Sequence, residues 1–470
     1  MRTKTGAVLT AFTVFAAITT VTSQDAPSNE DAIQSRIQAL EQELQNLKQT
    51  VDKQQTRTNE NTQFEELDQK VRVLDRKQEL GNEEAAAKAK TTPILSVGEK
   101  GFSLQSADGA FNLRLRSLVQ ADTRLYFGEG NASDSDTFLI RRARIELTGK
   151  LFEKFDYRLM EDFAGSSPTL LDAWIKWNPD PRFQLVAGKS KLPVDLEREQ
   201  SREYNLTTEF GYPTSLAPNR SIGVAARGLL LGGILDYYIG SFNSTADGGS
   251  SVTAASGSFS GAGRLFVQPF VNSANSALKG LGFGVGGTYG NFEGTPSGYS
   301  TVGQLTFFSW RAGVVDDGTQ WRLLPQLYYF NGPFGLLAEY AISSQQPRIG
   351  ATQATLENRA WQATASWVLT GEDATFNGVK PKHPFGFGEN RGWGALQVVA
   401  RATQLDIDDD AFPTFANPAS SASKATSYGG GLNWYLNPMT RISADYNWTT
   451  FAGAARPDEN SFIMRFQFRF

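Results

Sequence analysis

The sequence predicts an all-β fold, a transmembrane antiparallel β-barrel of about 16 strands (18 being the next choice), preceded by an α-helical coiled-coil segment. Three observations carry this. Polarity alternates residue by residue over stretches too long for a soluble sandwich, the last strand is amphipathic and ends on Phe470, and the chain opens on an export signal.

Residues 1–23 form that signal: Arg2 and Lys4 lead an apolar stretch from Ala7 to Val21, with a cut expected after Ser23. The stretch is too short to span a membrane as a helix. From Asp31 to about Leu80 the chain is rich in Gln, Glu, Lys and Leu, and Ile33, Ile37, Leu40, Leu44, Leu47 and Val51 recur at alternating steps of four and three. This is a heptad seam, resumed at Phe64, Leu67, Val71 and Leu74 after a polar interruption. This seam of about 50 residues, within a coiled-coil helix expected over the periplasmic segment 24–80, would make one continuous rod of roughly 75 Å. Residues 81–93 read as a linker, and 94–470 as the barrel.

Beyond Pro93 alternation can be followed by parity. In 111–127 the odd positions are mostly apolar, while the even ones include Arg114, Arg116, Asp122 and Arg124. "FLIRRARIELTGK" (138–150) sets Arg142, Arg144, Glu146 and Lys150 against Ala143, Ile145 and Leu147, and Lys154, Asp156 and Arg158 continue the charged face. An arginine facing lipid near the midplane costs about 2–4 kcal/mol, so four such residues turned outward would cost roughly 8–16 kcal/mol. They are expected to face the lumen. Arg141 has the wrong parity and is expected at the outer headgroup level, where it can snorkel. The same walk gives seventeen candidate strands, one too many for a barrel with both ends on one side, and the surplus run is expected within 259–330. The third outer loop, 190–220, is far longer than the two before it.

Composition narrows the chemistry. There is no cysteine, which excludes disulfide scaffolds and thiolate sites, and the single histidine, His383, stands in a Pro/Gly loop without a nucleophile. No catalytic residue, cofactor or metal site is expected, and "DIDDD" (406–410) lacks EF-hand spacing. The net charge is −4 overall and −2 over residues 93–470, yet the even face of 111–158 gathers eight basic residues against Asp122, Glu146 and Asp156. Such a wall favours anions in a confined pore. The same arginines and acids could equally form a lattice that stiffens the wall.

Several blocks, in order, resemble the family of phosphate-selective porins of the O and P type: "RRARIELTGKLFEKFDYRLMEDFAG", "LLDAWIKW", "VAGKSKLPVDLE", "SWVLTGE", "GALQVVARATQLDI" and "GLNWYLNPMTRISADYNW". The resemblance implies a 16-stranded homotrimer in the outer-membrane lipid, a third loop folded into the pore, and passage of small anions such as phosphate along basic side chains. The expected anion path is Arg114, Arg116, Arg124, Arg142, Arg144, Lys150, Lys154 and Arg158, with Lys189, Lys191, Arg198 and Arg202 as candidates on the constriction loop. Phe470 resembles the terminal signal read by the barrel assembly machinery. The coiled coil offers a contact to peptidoglycan, and no nucleic acid is expected as a partner. The alternatives are a general nutrient or saccharide porin, or a structural protein tethered to the cell wall.

Overall fold

Alternating inward-polar and outward-apolar residues close into a single barrel. The computed structural model describes residues 29–55, 61–99, 101–127, 136–251, 258–387, 392–453 and 456–470. The export signal expected at 1–23 lies outside the described residues. Two units are distinct, one ending at Thr92 and the other running Pro93–Phe470.

In the first unit, α1 (Asn29–Gln55) and α2 (Asn61–Ala89) carry the two halves of the heptad seam. Ile33, Ile37 and Leu40 share a cleft with Gly81, Ala85 and Lys88, so the start of α1 lies beside the end of α2. This corrects the expectation of one continuous rod: each helix offers an apolar stripe, and folding back buries part of both. The helix also runs past Leu80 to Ala89, because "EEAAAKA" is made of strong helix formers.

The second unit holds sixteen barrel strands: β1 (Asn112–Phe127), β2 (Thr137–Leu151), β3 (Phe155–Asp162), β4 (Thr169–Asp180), β5 (Phe183–Lys191), β6 (Arg220–Leu230), β7 (Leu235–Asn243), β8 (Phe259–Val267), β9 (Leu281–Gly294), β10 (Val315–Asn331), β11 (Phe334–Gln345), β12 (Leu356–Val368), β13 (Ala395–Asp406), β14 (Lys424–Asn437), β15 (Thr440–Ala452) and β16 (Glu459–Arg469). Each pairs antiparallel with its sequence neighbours, and β16 pairs with β1 to close the ring, Phe462 opposite Leu125 and Arg465 opposite Asp122. Four short strands extend the same sheet. Two of them, Ile94–Gly98 and Gly101–Gln105, form a hairpin that continues the line of β16 against β1 below Phe470. Phe102 meets the Phe470 ring edge-on at 5.7 Å, and the Phe470 backbone exchanges hydrogen bonds with Ser117.

The surplus strand is the run expected at 301–312. It belongs to the fifth outer loop (295–314), where Tyr299–Ser300 and Thr306–Phe308 make a small separate hairpin. Its aromatic residues alternate as a strand would, but Phe307 and Phe308 are fully buried against loop residues such as Phe415 and Tyr212.

Exposure is inverted relative to a soluble protein. Outward Ile140, Val224 and Phe466 are exposed, while inward Arg142, Arg465 and Gln467 are only 2% exposed. A barrel in water would reverse this; in a bilayer the exposed apolar face meets hydrocarbon and the charged face is shielded in the lumen.

Candidate functional site

The third outer loop (192–219) folds into the lumen rather than over the surface. A loop buried this way must find partners for its carbonyls. Polar side chains that alternate inward on β13 to β16 supply them. Arg441 donates to the Asn205 carbonyl at 2.9 Å, Asn433 to Leu206 at 2.7 Å, Arg401 to Glu209 at 2.7 Å and Gln467 to Glu203 at 3.2 Å, while Arg465 donates to the Thr208 carbonyl. From the inner side, Gln200 bonds the Phe376 carbonyl at 2.9 Å, and Arg469 bonds the Tyr204 hydroxyl at 2.7 Å. Phe376 belongs to the long inner turn 369–394.

A carboxylate on this loop organises the charged wall. Glu209 accepts from Arg141 at 2.7 Å and Arg465 at 2.8 Å, with Arg124 at 3.5 Å and Arg142 at 3.8 Å. Burial alone would raise its pKa, but Arg141, Arg465 and Arg142 outweigh that and hold it well below the carboxylate range. Arg141 therefore points inward, which corrects its expected place at the outer rim. Between β1 and β2 the register shifts: Arg142 faces Gln120 and Ile140 faces Ala121, leaving Arg141 as the extra residue of a β-bulge. The bulge resets parity, so neighbouring arginines both reach the lumen.

Most of the wall arginines are paired. Arg144 binds Asp162 at 2.8 Å, Arg158 binds Glu146 at 2.9 Å and Asp172 at 3.2 Å, Arg220 binds Asp172 at 2.8 Å, and Arg116 binds Glu203 at 2.9 Å. Others have donors to spare. Among the described residues, Nε of Arg142 and Arg198, Nη1 of Arg202 and Nη2 of Arg220 are buried without a hydrogen-bond partner. Arg202 instead stacks on Phe210, 3.1 Å from the ring centroid. Loss of solvent, then repulsion from Arg142, pushes the Arg202 guanidinium well below its ordinary value, the mark of a cation lacking its anion.

All four of these side chains line one chamber of about 390 Å³. Arg144, Lys191, Arg202 and Arg220 also line a second cavity of about 30 Å³, on whose other side stand Arg116, Glu146 and Arg158. The two spaces thus meet at four cations, and the inner one has about the volume of a single water's share of liquid.

The predicted residues divide accordingly. Arg116, Arg144 and Arg158 line the cavities in ion pairs, and Arg142 lines the outer chamber bonded to Gln120 at 2.7 Å. Arg124 stands behind it with Asp122 and Glu209, and Arg114 is half-buried with its Nε unpartnered among the described residues. Lys150 and Lys154 do not join the site: both are exposed, Lys154 in the inner turn after β2. Lys189 does not line either cavity, since its Nζ donates to the Leu170 carbonyl of the neighbouring strand at 2.8 Å. Lys191 lines both while holding the loop through the Arg198 and Gln200 carbonyls at 2.6 and 3.2 Å. Arg198 donates to the Thr214 carbonyl at 2.5 Å. Arg220, Arg401, Arg441 and Arg465 were not singled out from sequence. The alternation of "FIMRFQFRF" already turns Arg465 inward, but nothing local says that it meets a loop 256 positions away. In "DIDDD" Asp408 accepts from the backbone of Asp410 and of Glu357, and Asp406 pairs with Lys424 at 3.0 Å.

This geometry has relatives. Porin O of Pseudomonas aeruginosa is 25% identical over 385 residues, covering 74% of this chain and 84% of its own. Among solved structures, the outer membrane channel DcaP of Acinetobacter baumannii aligns with a TM-score of 0.50 at 12% identity, over 79% of this chain and 99% of its own. OmpF of Salmonella typhi, solved with daunomycin, aligns with 0.50 at 11%, over 80% and 100%; at these identities both speak for the fold alone. The family described as phosphate-selective porin O and P matches residues 111–470, the whole barrel including the charged wall and the inward loop. The chain belongs to that family and is an outer-membrane porin.

Proposed function

We propose that this porin passes small anions, with phosphate among them, through the cationic junction between the two cavities. The observation that carries this is the set of buried guanidinium nitrogens on Arg142, Arg198, Arg202 and Arg220 that have no hydrogen-bond partner among the described residues, around one chamber. An unpartnered buried donor costs about 1–3 kcal/mol, more when charged, and an oxyanion passing through satisfies several at once. Pairing gives the wall a second duty: through Asp122, Glu146, Asp162, Asp172 and Glu209 its arginines stiffen it and hold the third loop. Arg142 and Arg220 belong to both sets, each near a carboxylate yet keeping one nitrogen without a hydrogen-bond partner.

The test is the reversal potential in a planar bilayer under a salt gradient, with chloride and then phosphate. An anion-favouring potential with phosphate block of the chloride current is expected; a cation-favouring potential would overturn the proposal. We further propose a homotrimer whose helical segment lies in the periplasm, for assembly or for contact with peptidoglycan. The seam residues Ile37, Leu40, Leu44, Leu47, Val71 and Leu74 are only half-buried, which leaves apolar surface for a partner. Deleting 25–92 separates the two roles: loss of the trimer marks an assembly device, and intact trimers in a loosened envelope mark a tether.

A further inference from the structure

The chamber is not lined by cations alone. Ser215 of the third loop and Ser297, Ser300 and Gln304 of the fifth also line it, as do the acids Glu209 and Asp247. No protein hydrogen bond involves the side chains of the three serines and Gln304 among the described residues. The tip carrying Gln304 is held on several sides. The Tyr126 hydroxyl donates to the Gly303 carbonyl at 2.8 Å, the Thr301 hydroxyl to Glu459 at 2.8 Å, and Arg456 to the Thr306 carbonyl at 2.7 Å. Gln304 itself sits at φ 73, a left-handed conformation that a residue with a side chain adopts at a cost. The fold thus fixes a residue in a costly backbone conformation in the lining of a cationic chamber.

Size agrees with this. A bare inorganic oxyanion needs only the cations, and about 390 Å³ is many times the roughly 30 Å³ of one water. Free hydroxyls and a free carboxamide donate to and accept from alcohol groups, which an arginine wall cannot do in both directions. We infer that the chamber selects hydroxylated organic anions, phosphate monoesters of small polyols, the phosphoryl group lying on Arg142 and Arg202 and the alcohols on Gln304 and Ser300. The fifth loop is then a specificity element for the permeant, alongside the third. This rests on the chamber being the anion path.

The experiment is block of the single-channel chloride current of the full-length porin by glycerol 3-phosphate, inorganic phosphate and glycerol. Glycerol 3-phosphate should half-block at a concentration about fivefold or more below that of inorganic phosphate, the factor set by one net hydrogen bond, and glycerol alone should not block. Gln304→Gly suits the left-handed backbone and removes the side chain with its carboxamide, so it should fold and bring the ratio of half-blocking concentrations toward one. Ser300→Ala should narrow it in the same direction. Equal block by the two phosphates, or a ratio untouched by Gln304→Gly, overturns the inference. With an anion-favouring reversal potential that failure leaves the anion path standing, whereas a cation-favouring potential removes both.

Discussion

Replacing Arg202 with Gln removes a chamber cation that has no carboxylate within ion-pair distance among the described residues. At about 5 Å and an effective dielectric near 20, one guanidinium attracts a passing monoanion by about 3 kcal/mol. Water and salt in the chamber reduce this, so a loss of about tenfold in anion-over-cation permeability is expected. The control is the double replacement Lys176→Gln with Asp156→Asn, which dissolves an ion pair of 3.0 Å that lines neither cavity, without changing net charge. It should leave the ratio nearly unchanged. Arg202→Lys should keep the charge, and with it most of the anion preference, while weakening phosphate block because the planar fork over Phe210 is lost. The measurement is the bilayer reversal potential, with heat-modifiable electrophoretic migration of the barrel to confirm folding. If Arg202→Gln leaves the potential unmoved, or the charge-neutral pair shifts it as far, unpaired arginines do not set selectivity and the reasoning fails.

Glu209→Gln should leave Arg141 without its carboxylate and Arg465 with Asp122 alone, destabilising the inward loop by about 3–5 kcal/mol while raising anion preference. Thermal melting and open-channel noise would report the two effects. Asp195 of the same loop is fully buried, and burial, only partly offset by Arg198, pushes its carboxyl up to about 6. Because the folded pKa is raised, the favourable contribution is complete below the ordinary value of 3.8 and is lost as pH rises through about 6. Asp195→Asn keeps the side-chain acceptor that caps Arg198, so it should melt higher than the parent above pH 6 and alike below about pH 4. Phe470→Ala removes the edge contact with Phe102 at the closing seam and should lower the yield of assembled barrel in membranes without changing the conductance of channels that do form.

Periodicity and composition by themselves determined the barrel, the lumenal direction of Arg114, Arg116, Arg142 and Arg144, the misread run within 259–330 and the helical seam before Pro93. These follow from local rules: a strand alternates with period two, lipid forbids outward charge, and a heptad repeats on one helix face. The site was legible only on its strand side. Arg141 went astray because a β-bulge shifts parity by one residue, and a bulge is a property of the pairing with β1 rather than of β2 alone. Lys150 and Lys154 keep the right parity but run out of barrel at the inner turn. Which arginine is free and which is paired was decided only by the tertiary structure. The third loop carries Glu209 and Phe210 to strands far along the chain, and Coulomb attraction depends on where the chain brings charges in space, not on their order in sequence.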